Sequence, residues 1–560
     1  MAGAGAPRGR RNRTLPVSRL MPPFDRRHAL HLLGAGGAGL IAGEIAGWPF
    51  PALAAAPRAP LAMPRFAAFP FTLGVASGDP ASDGFVIWTR LAPLPFEPLG
   101  GMERRAVVVG WQVAEDEHFT TIAARGEALA HPEQAHTVHV EVAGLRPDRP
   151  YWYRFRAGAE ESPVGRSRTL PLPGARVDRV RFVAAGCQHY EHGLYTAWRH
   201  IAAEPVDFVF HYGDYIYEYG DHGPGPLKTG GHSYPTVRRH RGAEIYTLED
   251  YRQRYALYKA DADLQAAHAA APFWISFDDH EVDNNWAGSV DQDNTPVEVF
   301  LTRRALAFQA WYEHMPVRRS AMPQGSHVRM YRSARYGDLL NGFVLDTRQY
   351  RSDQLYGDTL APLGPEVYDP QRSLMGQAQE KWLYQGLAAS DTRWNLIAQQ
   401  VMVMNLIQRK QPAVPGAAPT YAMDQWPGYM ANRRRLLEHI DRHCLGNVVN
   451  VTGDAHRHYA GDLVQDEGAG KIISSEFLAT SISSGSDGQG DDDAYSRQVR
   501  SENPFLKATT DKRGYLVCDV TRDTWIGELK VLDAVTRPDA ALSTYARFAT
   551  ENGKPGLYPA

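Results

Sequence analysis

The sequence predicts an α/β domain that follows a smaller antiparallel β-sandwich. Between residues 66 and 173, short alternating segments separated by turns indicate the strands of the sandwich. Beyond a Pro/Gly linker at 171–174, apolar runs alternate with helix-like stretches, which indicates a sheet covered by helices. Four of the apolar runs end in side chains that bind metal ions, and strand ends are where α/β sheets place their ligands.

Residues 1–56 are predicted to be a twin-arginine targeting segment. The paired Arg26 and Arg27 precede an apolar Gly/Ala-rich run at 29–46, and 52–54 read Ala-Leu-Ala, as at signal-peptidase sites. The run is short for a membrane span and contains Glu44. We therefore expect the Tat machinery to export the chain to the periplasm or the exterior, without a stable transmembrane segment; an uncleaved anchor is the alternative.

Composition excludes some classes of function. The chain has 560 residues, a net charge of -3 and three cysteines. This charge balance provides no basic surface for nucleic acid, so none is expected as a partner. An odd number of cysteines in an exported chain indicates that disulfides are not its main support, and a chain of this length buries large cores without them.

The predicted sandwich shows no convincing catalytic residue. Its strands are expected at 85–89, 107–113, 137–142 and 151–156, where apolar residues alternate with polar ones. Asp79 precedes Pro80 and is interpreted as a turn former rather than a ligand. The sandwich is therefore expected to pack beside the catalytic domain or to shape its entrance.

The remaining helices and strands are predicted from the spacing of apolar residues and from the turn-forming residues between the segments. Helices are expected at 195–203, 248–271, 302–314, 377–387 and 432–443. The segments 514–520 and 525–531 are expected to be closing strands, and 540–550 a helix that covers the site entrance.

Four strand-end motifs carry the chemistry. The run that begins at Arg181 ends in Cys187, and the run 208–210 leads into Gly-Asp214-x-x-Tyr217. The other two runs lead into Asp279-His280-Glu and Gly-Asp454-x-His456. Taken in order, these motifs resemble the series found in the calcineurin-like metallophosphoesterases, most closely the PhoD branch of alkaline phosphatases.

The resemblance implies a four-layer α+β metallophosphoesterase sandwich, with two central mixed sheets flanked by helices and the metal site at the strand ends. On this basis the catalytic domain is expected at 178–545 and a C-terminal tail at 546–560. The resemblance extends from the targeting segment to Ser484.

The resemblance also implies two groups of metal ligands. Asp214 matches the family's bridging aspartate, and Cys187, Tyr217 and His456 would complete the first set. Thiolate and phenolate ligands together suit Fe3+.

The second cation would be held by Asp214, Asp279 and Asp454. Both of the last two are carboxylates where the wider family has an asparagine and a histidine, and hard oxygen ligands favour Ca2+. We therefore expect one iron and one or two calcium ions. Residues 283–285, Asp-Asn-Asn, are a candidate for the second calcium, although this composition is also common in loops.

Two further residues are candidate catalytic groups. His280 matches the family histidine beside the metals and would protonate the leaving alkoxide; alternatively it only orients Asp279 or Asp454. Arg348 follows another apolar run and would either fork onto phosphate oxygens or pair with Asp346 or a neighbour. For His458, a role outside the ligand shell, a surface position and ligation all remain open.

The sequence therefore predicts an exported metal-dependent phosphohydrolase that acts on phosphate monoesters, diesters or both. A phospholipase D-type phosphodiesterase on the same scaffold, acting on phospholipids, is the first alternative. The second alternative is a non-catalytic, calcium-stabilised surface protein that binds polyanions. A purely structural calcium site would not need the thiol, phenol and imidazoles of the four motifs.

Overall fold

The computed structural model describes residues 64–560, apart from 230–231, 411–413, 444, 446, 466–469 and 491–492. The predicted targeting segment 1–56 lies outside the described residues. In the part of the chain that is described, none of the helices combines the length and apolar character that a membrane crossing needs.

The helices of the described residues are α1 Thr196–Ala203, α2 Leu248–Lys259, α3 Ala262–Ala270, α4 Val297–His314, α5 Gly376–Ala388, α6 Met430–Arg442 and α7 Ala494–Glu502. The strands up to the first site motif are β1 Val75–Ala81, β2 Gly84–Arg90, β3 Val107–Ala114, β4 Ile122–Ala130, β5 Thr137–Val142, β6 Pro150–Ala157, β7 Glu160–Glu161, β8 Gly165–Arg168 and β9 Arg179–Ala185. The strands from there to the second half of the chain are β10 Phe208–His211, β11 Leu227–Thr229, β12 His232–Tyr234, β13 Phe273–Ile275, β14 Arg332–Tyr336, β15 Leu340–Val344, β16 Leu360–Ala361 and β17 Trp394–Ala398. The last strands are β18 Tyr421–Ala422, β19 Val448–Thr452, β20 His458–Val464, β21 Ile472–Leu478, β22 Leu506–Thr510, β23 Gly514–Thr521, β24 Thr524–Leu532, β25 Leu542–Glu551 and β26 Lys554–Pro559.

Two large mixed sheets form the centre of the molecule. The first has the order β26-β25-β24-β23-β9-β10-β13-β1-β2-β5, and the second has the order β14-β15-β17-β19-β21-β20-β22. Strands β9, β10 and β13 run parallel, as do β15, β17, β19 and β21. Strands β10, β13, β17 and β19 are buried along their whole length, which explains why they read as continuous apolar runs.

The two sheets and their helices form four layers, which confirms the predicted fold class. One core joins side chains of both sheets, such as Phe182 and Val449, with Trp198 of α1 and Trp311 of α4. A second core joins the other face of the seven-stranded sheet to α5 and α6. The parallel strands of both sheets therefore lie between helices, as parallel sheets require.

Five of the six predicted helices are present, and one of the five is divided in two. The expected helix 248–271 is two helices, because Asp261 caps the N-terminus of α3 by accepting from the backbone N–H of Asp263 and Leu264. Helix α2 begins with a capping box formed by Thr247 and Asp250. Helix α4 begins five residues before the expected start at 302, since Val297 already adopts helical geometry.

The N-terminal strands are shared between two sheets. Strands β3, β4, β6, β7 and β8 form a separate antiparallel sheet, whereas β1, β2 and β5 extend the ten-stranded sheet beyond β13. The link is a parallel pairing of Gly78 with Phe273. A β-carbon at Gly78 would lie 2.7 Å from the carbonyl oxygen of Phe273, so the close approach requires glycine.

The expected C-terminal helix at 540–550 is wrong. Residues 542–551 form strand β25, which pairs with β24, and the predicted tail 546–560 comprises the end of β25 and strand β26. The apolar residues Phe548 and Leu557 are buried in the core that joins the two sheets. β-Branched and aromatic residues in this segment favour a strand, and the side of β24 opposite β23 supplies the backbone partners. The closing strands predicted at 514–520 and 525–531 are confirmed as β23 and β24.

Candidate metal centre

The predicted ligands follow the carboxyl ends of parallel strands from both sheets. Cys187 comes two residues after β9 and Asp214 three residues after β10, while Asp279 lies beyond β13. From the second sheet, Asp454 comes two residues after β19 and Arg348 four residues after β15. The structure brings all of these side chains together at one edge of the two sheets.

The backbone at this edge is held in an uncommon conformation. Cys187, Asp214, Asp454 and His456 all have φ between +52° and +66°, a region that residues with a side chain seldom adopt. Strained backbone of this kind costs about 1–3 kcal/mol at each position and concentrates at functional sites. The positions of these four side chains therefore come at a cost in the free energy of folding.

Gly213 allows a close approach between two ligand loops. It has φ of +130°, and a β-carbon there would lie 2.4 Å from the backbone nitrogen of Asp278. We expect Gly213→Ala to destabilise the protein by about 1–3 kcal/mol from the backbone conformation alone, with a further loss from the clash. Urea unfolding measures the change.

Gly223→Ala is the matched control for Gly213→Ala. Gly223 has φ of +86°, and a β-carbon there would meet no other atom within 4 Å, so this variant reports the conformational cost without a clash. Equal losses of stability in the two variants would contradict the proposed steric role of Gly213.

A first group of ligand atoms joins Cys187, Asp214 and His456. The Tyr217 hydroxyl donates to Asp214 Oδ2 at 2.8 Å and lies 3.2 Å from His456 Nε2, so the phenol belongs to the same group. Ser484 Oγ lies 2.6 Å from the same hydroxyl and donates to the carbonyl of Cys187. The four side chains predicted for the iron therefore meet at one point.

A second group joins Asp214, Asp279 and His280. Asp214 is common to the first and second groups. His280 Nε2 lies 3.8 Å from Asp279 Oδ2, while its Nδ1 is 2.7 Å from Glu218 Oε2. Glu218 thereby fixes the ring orientation and directs Nε2 towards the centre.

A third group joins Asp278, Asp279 and Asp454, and Arg348 lies among these carboxylates. The Arg348 guanidinium is fully buried and contacts Asp278 at 2.5 Å, Asp454 at 3.4 Å and Asp279 at 3.5 Å. It also pairs with Asp424 at 2.8 Å. The ion pairs of Arg348 are thus with these four aspartates, whereas Asp346 contacts only its backbone N–H, and the forking of Arg348 onto phosphate oxygens stays a prediction.

The carboxylate oxygens of this centre fit a bound cation. Asp214 Oδ1, Asp278 Oδ2 and Asp279 Oδ1 are buried and have no hydrogen-bond partner among the described residues. Buried carboxylate oxygens without hydrogen bonds are costly, so these oxygens are suited to a positive ion. A donor set of thiol, phenol, imidazole and carboxylates joined through Asp214 fits a pair of cations of different hardness.

Burial favours the neutral forms of four acidic ligands when no cation is present, whereas at Asp279 the charges of Arg348 and His280 outweigh burial and lower the pKa below its usual value. Burial raises the pKa of Cys187 and of Tyr217 well above their usual values, and the charge of Asp214 raises both further. Burial likewise raises the pKa of Asp214 and Asp454. A cation in the centre would reverse these shifts and displace the protons.

The two imidazoles differ in charge. Burial, together with the charge of Arg513, lowers the pKa of His456 to about 3, so the ring is neutral and carries the lone pair that a metal ligand needs. Burial also acts to lower the pKa of His280, but Glu218, Asp279 and Asp214 outweigh it and raise the pKa well above its usual value. His280 therefore carries a proton in the metal-free protein.

Glu281 connects two of the ligand loops and was not singled out as a functional residue from the sequence. Its carboxylate accepts from the backbone N–H groups of Asp214, Tyr215 and Asp278 at 2.6–3.1 Å. Burial raises the pKa of Glu281 to about 8, and the three backbone donors oppose that shift. The residue orients the loops without entering the ligand groups.

Three further predictions concern residues 283–285, His458 and Asp79. Asp283 pairs with Arg303 at 2.7 Å, and the side chain of Asn285 bonds to Asp358, so the candidate second calcium set at 283–285 has other partners. His458 is buried with its ring nitrogens near two backbone carbonyls, outside the ligand groups. Asp79 has φ of +43° and pairs with Arg332, which agrees with a turn position rather than a ligand.

Comparisons with known proteins address the family of this chain. The model of the "PhoD-like phosphatase" family matches residues 182–529, and that of the "PhoD-like phosphatase, N-terminal domain" matches residues 55–171. The chain is 47% identical to alkaline phosphatase D of Bacillus subtilis (strain 168) over 536 residues, which is 95% of this chain and 89% of the relative. The chain belongs to the PhoD-like phosphatase family.

A solved structure of PhoD agrees with this assignment. It superimposes with a TM-score of 0.84 at 47% sequence identity, covering 89% of this chain and 93% of that chain. The predicted resemblance to PhoD is confirmed, and so is the prediction of a phosphoric ester hydrolase. Membership of this enzyme family decides against the non-catalytic polyanion-binding alternative.

Proposed function

We propose that this PhoD-like phosphatase hydrolyses phosphate monoesters or diesters at a mixed Fe3+/Ca2+ centre. The iron would be held by Cys187, Tyr217 and His456, with Asp214 as the bridging ligand.

The calcium ion would be held by Asp279 and Asp454 together with Asp214, and Asp278 is an additional carboxylate for that ion. The observation that carries the proposal is the sharing of Asp214 by two ligand groups of different chemistry.

The chemistry divides between the cations and the chain. When bound, the cations neutralise the phosphate oxygens and lower the pKa of a water molecule so that it attacks phosphorus. The chain fixes the ligands in place through the strained backbone and Glu281, and it buries Cys187, Asp214 and Tyr217 to 2% exposure or less, which excludes bulk water from that side.

His280 supplies the proton for the leaving group. Its Nδ1 is committed to Glu218, so the Nε2–H faces the centre and is the proton in position for transfer. As the phosphorus–oxygen bond to the alcohol breaks, the electron pair stays on the alcohol oxygen and His280 donates its proton there. Asp279 and Glu218 stabilise the protonated imidazole before transfer.

The location of the enzyme is part of the proposal. The twin-arginine segment would direct export of the folded chain, so that iron is inserted in the cytoplasm before the protein reaches the periplasm or the exterior. Phosphate esters of small molecules are the proposed substrates, with phospholipids as the alternative.

Comparison of three substrates tests the proposed reaction. Purified enzyme, stripped with a chelator and reloaded with Fe3+ and Ca2+, is assayed with p-nitrophenyl phosphate, bis-p-nitrophenyl phosphate and phosphatidylcholine. Metal-dependent release of p-nitrophenol from one or both chromogenic esters is the expected result. Choline release with little turnover of either chromogenic ester would support the phospholipase D-type alternative instead.

A further inference from the structure

The segment that follows Asp214 sends successive side chains to three different places. Tyr217 is 2% exposed and reaches the metal ligands, and Glu218 is fully buried and contacts His280. Tyr219 is 38% exposed and is directed outwards from the same short stretch of chain. An exposed aromatic ring thus lies next to residues of the metal centre.

The Tyr219 ring packs beside the ring of His280. The two ring centroids are 5.3 Å apart at an interplanar angle of 64°, an edge-to-face contact. The centroid of Tyr217 is 6.5 Å away, and the ring of His189 lies 6.1 Å away at an angle of 26°. One side of Tyr219 is therefore packed on the centre, and the remainder of its ring is open to a ligand.

The backbone that carries Tyr219 is held in place. Arg254 Nη1 donates to the carbonyl oxygens of Tyr217 and Tyr219, the latter at 2.7 Å. A β-carbon at Gly220 would lie 2.9 Å from the backbone nitrogen of Glu244, so the chain beyond Tyr219 packs closely against its neighbour. A rigid support lets an aromatic ring bind a ligand with little loss of conformational entropy.

The ligand side chains of the centre differ in their accessibility. Cys187 and Asp214 are each 1% exposed, whereas the side chains of Asp454 and His456 are 18% and 35% exposed. A phosphate group that enters from the open side has its leaving oxygen next to His280, according to the proposed function. The alcohol portion attached to that oxygen then extends past His280 towards Tyr219.

We infer that Tyr219 forms a leaving-group subsite that favours phosphate esters whose alcohol carries a planar ring, such as nucleoside or aryl esters. The inference rests on the proposed function, because it requires that His280 faces the leaving oxygen. A planar ring stacks on a tyrosine face, and a small polyol such as glycerol has no face to stack.

The test compares two esters that differ in the ring and share a primary alcohol as leaving group. Adenosine 5′-phosphate and glycerol 3-phosphate are assayed with the wild-type holoenzyme and with the variants Tyr219→Ala and Tyr219→Phe; the methyl diesters of both are used if the enzyme takes only diesters. Tyr558→Ala, another exposed tyrosine that lies on the edge strand β26, is the matched control. Inhibition by inorganic phosphate is measured for each variant.

Tyr219→Ala is expected to lower kcat/KM for adenosine 5′-phosphate about tenfold, since stacking of a base on an aromatic ring is worth this much. Its kcat/KM for glycerol 3-phosphate and its inhibition constant for phosphate should stay within about twofold, and Tyr219→Phe and Tyr558→Ala should behave like the wild type. Equal losses for both esters, or no loss for either, would overturn the subsite. If the wild-type enzyme binds phosphate but turns over no ester, the proposed function fails, and the subsite fails with it.

Discussion

Replacing Asp214 by asparagine is expected to lower kcat/KM about 1,000-fold, because the change weakens both cations together. Asp214 belongs to the first and the second ligand group, and its Oδ1 is buried without a hydrogen-bond partner in the described residues. An amide keeps the shape of the side chain but cannot bridge two cations with two anionic oxygens. The measurement is kcat/KM with a chromogenic ester, together with the metal content of each preparation.

Asp462→Asn is the matched control for Asp214→Asn. Asp462 lies on β20, outside the ligand groups. It is also buried and pairs with Lys507 at 2.8 Å. It should retain wild-type metal content. Near-normal activity and metal content in Asp214→Asn would show that the centre is elsewhere.

The second large effect is expected from Arg348. Removal of this guanidinium takes away the positive charge shared by the aspartates at 278, 424, 454 and 279. Breaking a buried ion pair costs about 3–5 kcal/mol, so Arg348→Met should lower the free energy of unfolding of the metal-free protein by this amount. Urea unfolding in the presence of a chelator measures the loss.

Added Ca2+ should restore more stability to Arg348→Met than to the wild type, since it would replace the missing positive charge. The double variant Arg348→Met/Asp278→Asn should recover part of the loss, because one of the uncompensated carboxylates is then neutral. A loss below about 1 kcal/mol in the metal-free protein would contradict a charge-balancing role for Arg348.

The strand ends could be predicted because buried parallel strands leave a strong pattern. Apolar runs that stop at Gly213 and Gly453 and continue with aspartate are visible in the sequence, and the structure places Asp214 and Asp454 in the same centre. The residue types at the four strand ends indicated a metal site, and the resemblance of the motifs to the family implied which residues would hold which cation. Periodicity alone would have left Tyr217 as one of several core tyrosines.

Other features depend on tertiary contacts that leave no local signal. Asp424 pairs with Arg348 and Arg351 from a loop far along the chain, and nothing in its sequence surroundings indicates this. Strands β1, β2 and β5 resemble those of the N-terminal sheet, but Gly78 lets β1 pair beside β13. The prediction of a helix at 540–550 is wrong because the segment has weak helical periodicity and its backbone pairs with β24 instead.

The most direct test of the mixed centre combines elemental mass spectrometry with a visible absorption spectrum. Protein produced from the full-length sequence should contain one iron and one or two calcium ions per chain, and a tyrosinate-to-iron charge-transfer band should give it a visible colour. Tyr217→Phe should lose the band, whereas Tyr558→Phe should keep it. Zinc or manganese as the only metal, or a band that survives in Tyr217→Phe, would contradict the assignment of Cys187 and Tyr217 to Fe3+.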